Sequence, residues 1–489
     1  MAVIEDHDDG AGAQEGARAA VQRRVLAHPR HSLIVLVSVL YGLLSVNITF
    51  TIFNVALVRI SRDLHTTQNN LTWAITGPLL LVGVAAPTLG KIGDVRGHRK
   101  LYLFGLCGAL LCAVLTAASW SVGSLIGARL LSGVEGACTT AASWSLLFRV
   151  YPPEDRTKVM GWWSLVGAGG PVIGVAVGGP VIQAVGWRWV FVAQAPMIAV
   201  ALVVCFLVLP ETPTGERQPL DVAGAALLAL GVGSLLLGLN KGTDWGWTSR
   251  GVLGAFALSP ISLGAFALVE GRAVDPLVPL EWLRRRNFLL PCCAQLFSNF
   301  AYLGGFFLTP LLLERGFGYG EGHAGVLQIA RPLVFSVSAP VAGYLAVRTG
   351  ERSAAISGTA LVALSMVVFS TLHRGSGDFI VVCALGLSGL GLGVSSPSIA
   401  ASVANSVEIE RMGSASATLQ LALQVGQVGG IQVMETVQVA QEHSAGLVGS
   451  FSTAYLVGGA VAALGVLCAA FVRRAHRAGP VFVAEPVIT

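Results

Sequence analysis

The sequence predicts an all-α polytopic membrane protein, and three properties of its composition point to that fold class. Of the 489 residues, 54% are hydrophobic and only 12% are charged, whereas soluble chains carry roughly 25% charged residues. The mean hydropathy is +0.72. The net charge of +5 is small, and the lysines and arginines are spread between apolar runs. A secreted, disordered or nucleic-acid-binding protein is therefore excluded.

Fourteen apolar runs are long enough to cross a bilayer, which takes about 20 residues of helix. Helices are expected because a segment in lipid must satisfy its own backbone hydrogen bonds. Numbered 1 to 14, these spans are 32–57, 72–92, 101–119, 122–147, 160–183, 188–209, 222–240, 252–270, 288–312, 324–346, 354–372, 378–399, 413–436 and 451–472. All eight cysteines fall inside these runs, so we expect no disulfide, metal site or cofactor.

The distribution of basic residues predicts that both ends of the chain are cytoplasmic. With the N-terminus inside, the interior segments carry 22 lysines and arginines and the exterior loops carry 7. Cytoplasmic loops are enriched in these residues. These totals count Lys91 and Arg188, at the ends of spans 2 and 6, with the adjoining loops. The remaining two, Arg129 and Arg331, lie deeper within spans.

An internal repeat divides the chain into two halves. Gly90–Arg99 (GKIGDVRGHR) and Gly343–Arg352 (GYLAVRTGER) share two glycines and an arginine at a constant offset of 253 residues. Duplicated bundles with a site near mid-membrane are typical of secondary transporters. The predicted organisation is a cytoplasmic N-terminal tail (1–31), a first six-helix bundle (32–210), the inserted spans 7 and 8 with their linkers (211–287), a second six-helix bundle (288–472) and a cytoplasmic C-terminal tail (473–489).

Several short motifs occur along the chain in the order found in a known family. They are Asn54 to Leu57 (NVAL) in span 1, the loop Gly90–Arg99, Arg129 to Gly133 (RLLSG) in span 4, Gly170 to Gly174 (GPVIG) in span 5, Trp187 to Phe191 (WRWVF) in span 6 and Asp275 to Pro279 (DPLVP) before span 9. Together with fourteen spans, this set resembles the EmrB/QacA-type drug:H⁺ antiporters of the major facilitator superfamily. The resemblance implies the major facilitator fold, alternating access, a plasma-membrane location and no enzymatic activity.

The loop after span 2 resembles motif A of that superfamily through Gly90, Asp94, Gly97 and Arg99. A carboxylate at a helix end can cap the N-terminus of a neighbouring helix. The resemblance implies that Asp94 latches the two bundles in the outward-facing state, and a loop fixed only by topology is the alternative. Val347 stands at the matching position of the second loop, so the sequence predicts a latch in the first loop alone.

Span 5 is rich in glycine and proline, and Gly170, Pro171 and Gly174 resemble the antiporter motif C. Small residues let membrane helices approach closely, which suits a span that bends or slides against the opposite bundle. The resemblance implies export, whereas plain tight packing explains part of the glycine content.

Ionisable groups inside a span are costly in lipid and therefore indicate function. Glu135 is the only acid near the middle of any span, and Arg129 precedes it by six residues on the same helix. We interpret Glu135 as a proton carrier beside Arg129, with Glu435 near the outer end of span 13 as the next candidate. A structural ion pair between Glu135 and an arginine is the alternative.

Three positions depart from the antiporter pattern and leave a second function open. Thr49 replaces the usual acid of span 1, Glu135 stands where motif B has glycine, and Pro78 replaces an aromatic residue of span 2. One carboxylate is lost and another gained, so the proton site is expected to have moved. The alternative function is a lipid or amphiphile translocator of the same fold with weak or relocated proton coupling.

Polar side chains recur at helical spacing in the spans that line the cavity of this superfamily. They are Asn47, Thr51 and Asn54 in span 1, Gln295, Asn299 and Tyr302 in span 9, Gln328 and Arg331 in span 10, and Gln420, Gln424 and Gln427 in span 13. We expect them to line a wet cavity for a hydrophobic or amphiphilic small molecule, although interhelical hydrogen bonds would explain any single position. We expect the transporter to be a monomer.

We expect cysteine-accessibility labelling to place both ends of the chain and loop 90–100 inside the cell, and residues 241–250 outside. Single cysteines in a cysteine-free parent would be reacted with a membrane-impermeant maleimide in intact cells, and permeabilised cells would report intrinsic reactivity. Two neighbouring loops labelled from the wrong side would overturn the fourteen-span arrangement.

Overall fold

A computed structural model describes residues 22, 24, 27–66, 68–212, 221–273 and 276–472, without some side chains of spans 1, 2 and 5. The predicted C-terminal tail 473–489 lies outside this description. Of the predicted N-terminal tail 1–31, only residues 22, 24 and 27–31 are described. A helix occupies each predicted span. The helices are His31–Asp63, Gln68–Arg96, His98–Ala117, Val122–Val150, Arg156–Val185, Trp187–Val208, Val222–Trp245, Arg250–Glu270, Arg286–Leu311, Glu321–Gln328 with Ala330–Thr349 (span 10), Glu351–Ser370, Asp378–Ala404 and Met412–Phe471 (spans 13 and 14).

By length and composition alone, 11 of the described helical segments could cross a membrane. Spans 4 and 5 are not among the 11, and spans 13 and 14 form one segment, Ile409–Phe471. The all-α fold class predicted from the sequence is confirmed, and the number of fourteen crossings stays a prediction.

Single glycines in the left-handed region join consecutive helices. Gly97 (φ 97°) separates spans 2 and 3, Gly186 (φ 90°) separates spans 5 and 6, and Gly350 (φ 95°) separates spans 10 and 11. A residue with a side chain rarely adopts this conformation, so glycine permits a one-residue turn here. Gly97 and Gly350 are partners in the sequence repeat, and the structure gives them the same role.

The two halves of the chain meet along two seams. Span 2 packs on span 13, and span 10 packs on span 5. In the repeat, span 2 corresponds to span 10 and span 5 to span 13, so the seams are equivalent pairs. At the second seam, a Cβ atom on Gly161 would lie 2.7 Å from the carbonyl oxygen of Ala339, which explains the need for glycine. This packing supports the two predicted bundles, whose boundaries remain predictions.

The inserted spans 7 and 8 pack against each other, and span 7 lies against both spans 2 and 13 at their seam. A Cβ atom on Gly83 of span 2 would lie 3.2 Å from both Leu236 of span 7 and Gln424 of span 13. Beyond the predicted end of span 7 the helix continues to Trp245, and Trp247 Nε1 donates to Thr436 Oγ1 of span 13 at 3.0 Å. The insertion therefore touches both halves.

The linker that follows span 8 fixes the insertion to the second half. Asp275 of its DPLVP motif lies outside the described residues. Leu277 and Val278 are buried in one apolar cluster with Leu236 and Val428. The carboxylate of Glu270 accepts the backbone N–H of Val278 at 2.6 Å. The motif thus anchors the end of span 8 against span 13.

Candidate functional site

The carboxylate of Asp94 joins the two halves on the face that carries loop 90–100, called here the basic face. Its Oδ1 accepts the backbone N–H of Gly413 at 2.9 Å, and its Oδ2 accepts the N–H and hydroxyl of Ser414 at 2.9 and 2.8 Å. Both residues belong to the first turn of span 13. The first N–H groups of a helix lack intrahelical partners and carry partial positive charge. Asp94 therefore caps a helix of the opposite half.

The remaining residues of the loop hold Asp94 in place. His98 Nε2 lies 2.9 Å from Asp94 Oδ1, and the His98 side chain is fully buried. A Cβ atom on Gly90 would lie 2.5 Å from the carbonyl oxygen of Gly413, so glycine is needed for this approach. Arg99 faces the end of span 6, where its Nη2 donates to the carbonyl oxygen of Phe206 at 2.7 Å. Its Nη1 donates to Oε1 of Glu211, just beyond that span, also at 2.7 Å. Gly90 and Asp94 thus contact the second half, and Arg99 ties the loop to the first.

The second loop also reaches across the basic face, through Glu351. Its Oε1 accepts the hydroxyl of Thr157 and the side-chain N–H of Asn405, both at 3.1 Å. Arg156 Nη1 donates to Asn405 Oδ1 at 2.9 Å. Arg156 and Thr157 begin span 5, the counterpart of span 13. An acid of the second half therefore meets the first turn of a helix of the first half.

Sequence reasoning missed Glu351, because comparison at a fixed offset aligns Val347 with Asp94 and Glu351 with His98. Val347 lies in the helix of span 10, whereas Glu351 is the first residue of the span 11 helix, after the turn at Gly350. The expectation that only the first loop supplies such a contact is corrected by this arrangement. One signal in the sequence could have found Glu351: it is an acid within the repeat, and the residue at the matching position of the first loop is not an acid.

The antiporter motif packs within the first half where it is described. A Cβ atom on Gly170 would lie 3.4 Å from the Cβ atom of Asn47 in span 1, so the motif meets one predicted cavity residue. The side chains of Pro171, Thr51 and Asn54, and the burial of Gly174, lie outside the described residues.

The structure separates Glu135 from Arg129. Arg129 Nε donates to the carbonyl oxygen of Ala74 at 3.1 Å, and its guanidinium lies 4.7 Å from the centroid of the Phe53 ring. Glu135 faces span 3, where a Cβ atom on Gly108 would lie 3.1 Å from the Cβ atom of Glu135. Among the described residues, Glu135 forms no ion pair within 4.0 Å and its Oε2 has no hydrogen-bond partner. The ion pair with Arg129, the alternative to a proton carrier, is therefore not formed in this conformation.

The polar residues of span 9 face spans 10 and 12. Gln295 Nε2 donates to Ser396 Oγ at 3.4 Å, and Asn299 Nδ2 donates to the carbonyl oxygen of Gln295 at 2.9 Å. Tyr302 packs edge-to-face on Phe335 of span 10, with ring centroids 6.0 Å apart. The structure thus brings the predicted stripe of span 9 together on one side of the helix.

The predicted polar residues of span 13 differ in burial. Gln424 is buried in the seam with span 2, whereas Gln420, Gln427 and Glu435 are half-buried. The Oε1 atoms of Gln424 and Gln328 have no hydrogen-bond partner among the described residues. Both oxygens are inaccessible to solvent in this conformation, so a ligand or water would reach them only after the helices move.

Comparison with known proteins identifies similar chains. Residues 39–431 match the family model described as Major Facilitator Superfamily. The chain is 31% identical over 393 residues to the tetracenomycin C resistance and export protein of Streptomyces glaucescens, covering 80% of this chain and 73% of that one. It is 26% identical over 425 residues to the methylenomycin A resistance protein of Streptomyces coelicolor, covering 86% and 89%.

Two solved structures share the fold. The human organic anion transporter MFSD10 (TETRAN) is similar with a TM-score of 0.63 at 17% identity, over 90% of this chain and 99% of that one. The proton:xylose symporter XylE is similar with a TM-score of 0.64 at 13% identity, over 90% and 95%. At these identities the likeness concerns the arrangement of the helices.

Asp94→Asn should open the basic face, because an amide supplies one acceptor oxygen in place of two. We expect labelling of a Ser416→Cys reporter to rise about five- to 100-fold, as the loss of about 1–3 kcal/mol of charge-assisted hydrogen bonding implies. Ser416 is buried at this seam, with its Oγ 3.5 Å from the carbonyl oxygen of Ala141.

The matched control is Asp155→Asn, since Asp155 pairs with Lys158 of its own half at 2.6 Å. Transport should fall in Asp94→Asn while expression stays near normal. Labelling equal to that of the control would leave Asp94 with a topological role only.

Proposed function

Because the chain belongs to the major facilitator superfamily, as its motifs predicted, we propose that it exports hydrophobic or amphiphilic compounds across the plasma membrane in exchange for protons. It alternates between states open to either side, with both ends of the chain in the cytoplasm. The direction is supported by motif C and by relatives named for antibiotic resistance and export.

The observation that carries this proposal is closure of one face by contacts between the halves. Asp94 caps span 13 from the first half, and Glu351 binds the first turn of span 5 from the second. Both contacts join groups that water can solvate when they part, so the face can open at moderate cost. A substrate held between the halves would then reach one side at a time, as alternating access requires.

The substrate class follows from the character of the predicted cavity. Amide and hydroxyl groups on spans 9 and 13 provide hydrogen-bonding positions, and the neighbouring residues are mostly aliphatic or aromatic. Such a surface binds a molecule with a large apolar body and a few polar groups.

Glu135 is the proposed proton carrier, and its surroundings define how it would work. Moving one charge through the membrane field is worth about 2.3 kcal/mol per 100 mV, so coupling requires a group that changes charge within that field. Arg129 is held by Ala74 and Phe53 in this conformation. It therefore acts on Glu135 as a fixed charge, and direct pairing requires a helix movement.

The second candidate function is translocation of a lipid or amphiphile with weak proton coupling. It is favoured by Thr49, which replaces the span 1 acid of the antiporters. The two functions differ in whether a proton gradient drives net accumulation.

Uptake of the neutral amphiphile Nile red into inverted vesicles separates these functions. We expect Nile red to accumulate when the vesicle interior is more acidic than the medium, and a protonophore to abolish this accumulation. Glu135→Gln, which mimics the protonated form, should bind Nile red with modest change but lose pH-driven accumulation, and Glu135→Asp should keep part of it.

The control is Glu408→Gln, because Glu408 is exposed on the basic face. If Glu135→Gln still concentrates Nile red with normal pH dependence, Glu135 is structural and Glu435 becomes the candidate. Uptake by the wild type that ignores the proton gradient would favour the translocator.

A further inference from the structure

A buried arginine without an acidic partner lies in span 10. The side chain of Arg331 is fully buried, and its Nη1 donates to the carbonyl oxygen of Tyr302 at 2.9 Å. Its Nε and Nη2 have no acceptor, and no carboxylate lies within 4.0 Å, among the described residues. Buried charges in membrane proteins are normally paired. Arg331 therefore carries a positive charge that its own bundle does not neutralise.

Aromatic rings surround this guanidinium. Its central carbon lies 5.2 Å from the ring centroid of Tyr302, 5.2 Å from that of Phe369 and 5.9 Å from that of Phe306. The faces of aromatic rings attract cations, which explains how the charge is tolerated. The rings carry no net charge, however, so the local potential stays positive.

The guanidinium of Arg331 contacts the ring of Tyr302, a member of the polar stripe of span 9. Tyr302 belongs to that stripe, and Phe306 continues it four residues later, on the same face of the helix. Phe306 is 37% exposed. A shift of the Tyr302 and Phe306 rings would bring the free Nη2 group of Arg331 to the surface that the stripe presents.

Arg129 adds a second positive charge at a similar depth in the other half. Arg129 and Arg331 each lie seven residues after the predicted outer start of their spans, 122 and 324. Each is held by one backbone carbonyl and by aromatic rings rather than by a carboxylate. Glu135 is turned towards span 3. Each half thus holds one buried arginine that forms no ion pair within 4.0 Å among the described residues.

We propose that the preferred substrates are anionic, namely aromatic or amphiphilic compounds that carry a carboxylate or phenolate. Arg331 supplies the counter-charge when the rings of Tyr302 and Phe306 part. The guanidinium fork matches a carboxylate in two parallel hydrogen bonds, and its Nε and Nη2 atoms are the pair left without acceptors. A permanent organic cation would add a second positive charge to the same low-dielectric region. This inference rests on the proposed export function and specifies its substrate.

The test uses two dyes with one ring system, fluorescein (anionic at neutral pH) and rhodamine 123 (cationic), with Nile red as the neutral reference. Uptake into proteoliposomes is driven by a pH gradient at a clamped membrane potential, and protein-free liposomes report leakage. We expect the wild type to prefer fluorescein over rhodamine 123 by about tenfold or more, because an unpaired charge in low dielectric discriminates strongly.

Arg331→Met keeps the length and apolar bulk of the side chain but removes the charge. It should lower fluorescein uptake about tenfold and leave Nile red uptake unchanged, whereas Arg331→Lys should keep part of the preference. Arg315→Met is the control, since Arg315 is exposed in the same half. If Arg331→Met fails to fold, the wild type still tests the inference, because 1-naphthoate should inhibit Nile red uptake more strongly than a naphthyl trimethylammonium ion.

If the wild type takes up rhodamine 123 as fast as fluorescein or faster, the inference is overturned. Gradient-driven uptake of Nile red in the same vesicles would still support the export function. An unchanged dye preference in folded Arg331→Met would overturn it as well. Absence of gradient-driven Nile red uptake by the wild type would instead overturn the export function on which the inference rests.

Discussion

The closed basic face depends on one interaction, the capping of the first turn of span 13 by the carboxylate of Asp94. A helix N-terminus buried at an interface leaves N–H groups that need acceptors. Here the acceptors come from the other half of the molecule, so the two halves complete each other's hydrogen bonding. When the face opens, water can replace the carboxylate. The proposed alternating access requires a contact that is strong enough to favour one state and weak enough to be reversed.

The second seam is also crossed by an acid of the opposite half. Glu351 accepts the side-chain hydroxyl of Thr157 at the start of span 5, whereas Asp94 accepts backbone N–H groups. Glu351 begins the helix of span 11, after the turn at Gly350, and Asp94 precedes the matching turn in the helix of span 2. Each half therefore supplies one carboxylate that accepts hydrogen bonds from the other half, so the contacts on the closed face are approximately symmetric. The insertion breaks that balance, because its span 7 packs at the seam between spans 2 and 13.

Features that depend on local sequence could be predicted, and those that depend on tertiary packing could not. The length of the apolar runs predicts the helices, and the spacing of Gly90, Asp94 and Gly97 predicts a tight loop with a capping acid. The direction in which Glu135 points could not be read from the chain, because it depends on how span 4 rotates against span 3. The sequence also does not reveal that Arg331 lacks an acidic partner, because its surroundings, aromatic rings of spans 9 and 11, are set by tertiary packing.

The central claim is that the Asp94 cap holds the basic face shut, and pulsed electron paramagnetic resonance distances in proteoliposomes test it most directly. Spin labels at Lys100→Cys and Glu410→Cys report the basic face, and labels at Ser121→Cys and His443→Cys report the opposite face; all four positions are exposed. In the wild type we expect a short, narrow distance distribution on the basic face. In Asp94→Asn a longer population should appear on that face together with a shorter one on the opposite face. Identical distance distributions in wild type and Asp94→Asn would contradict the account.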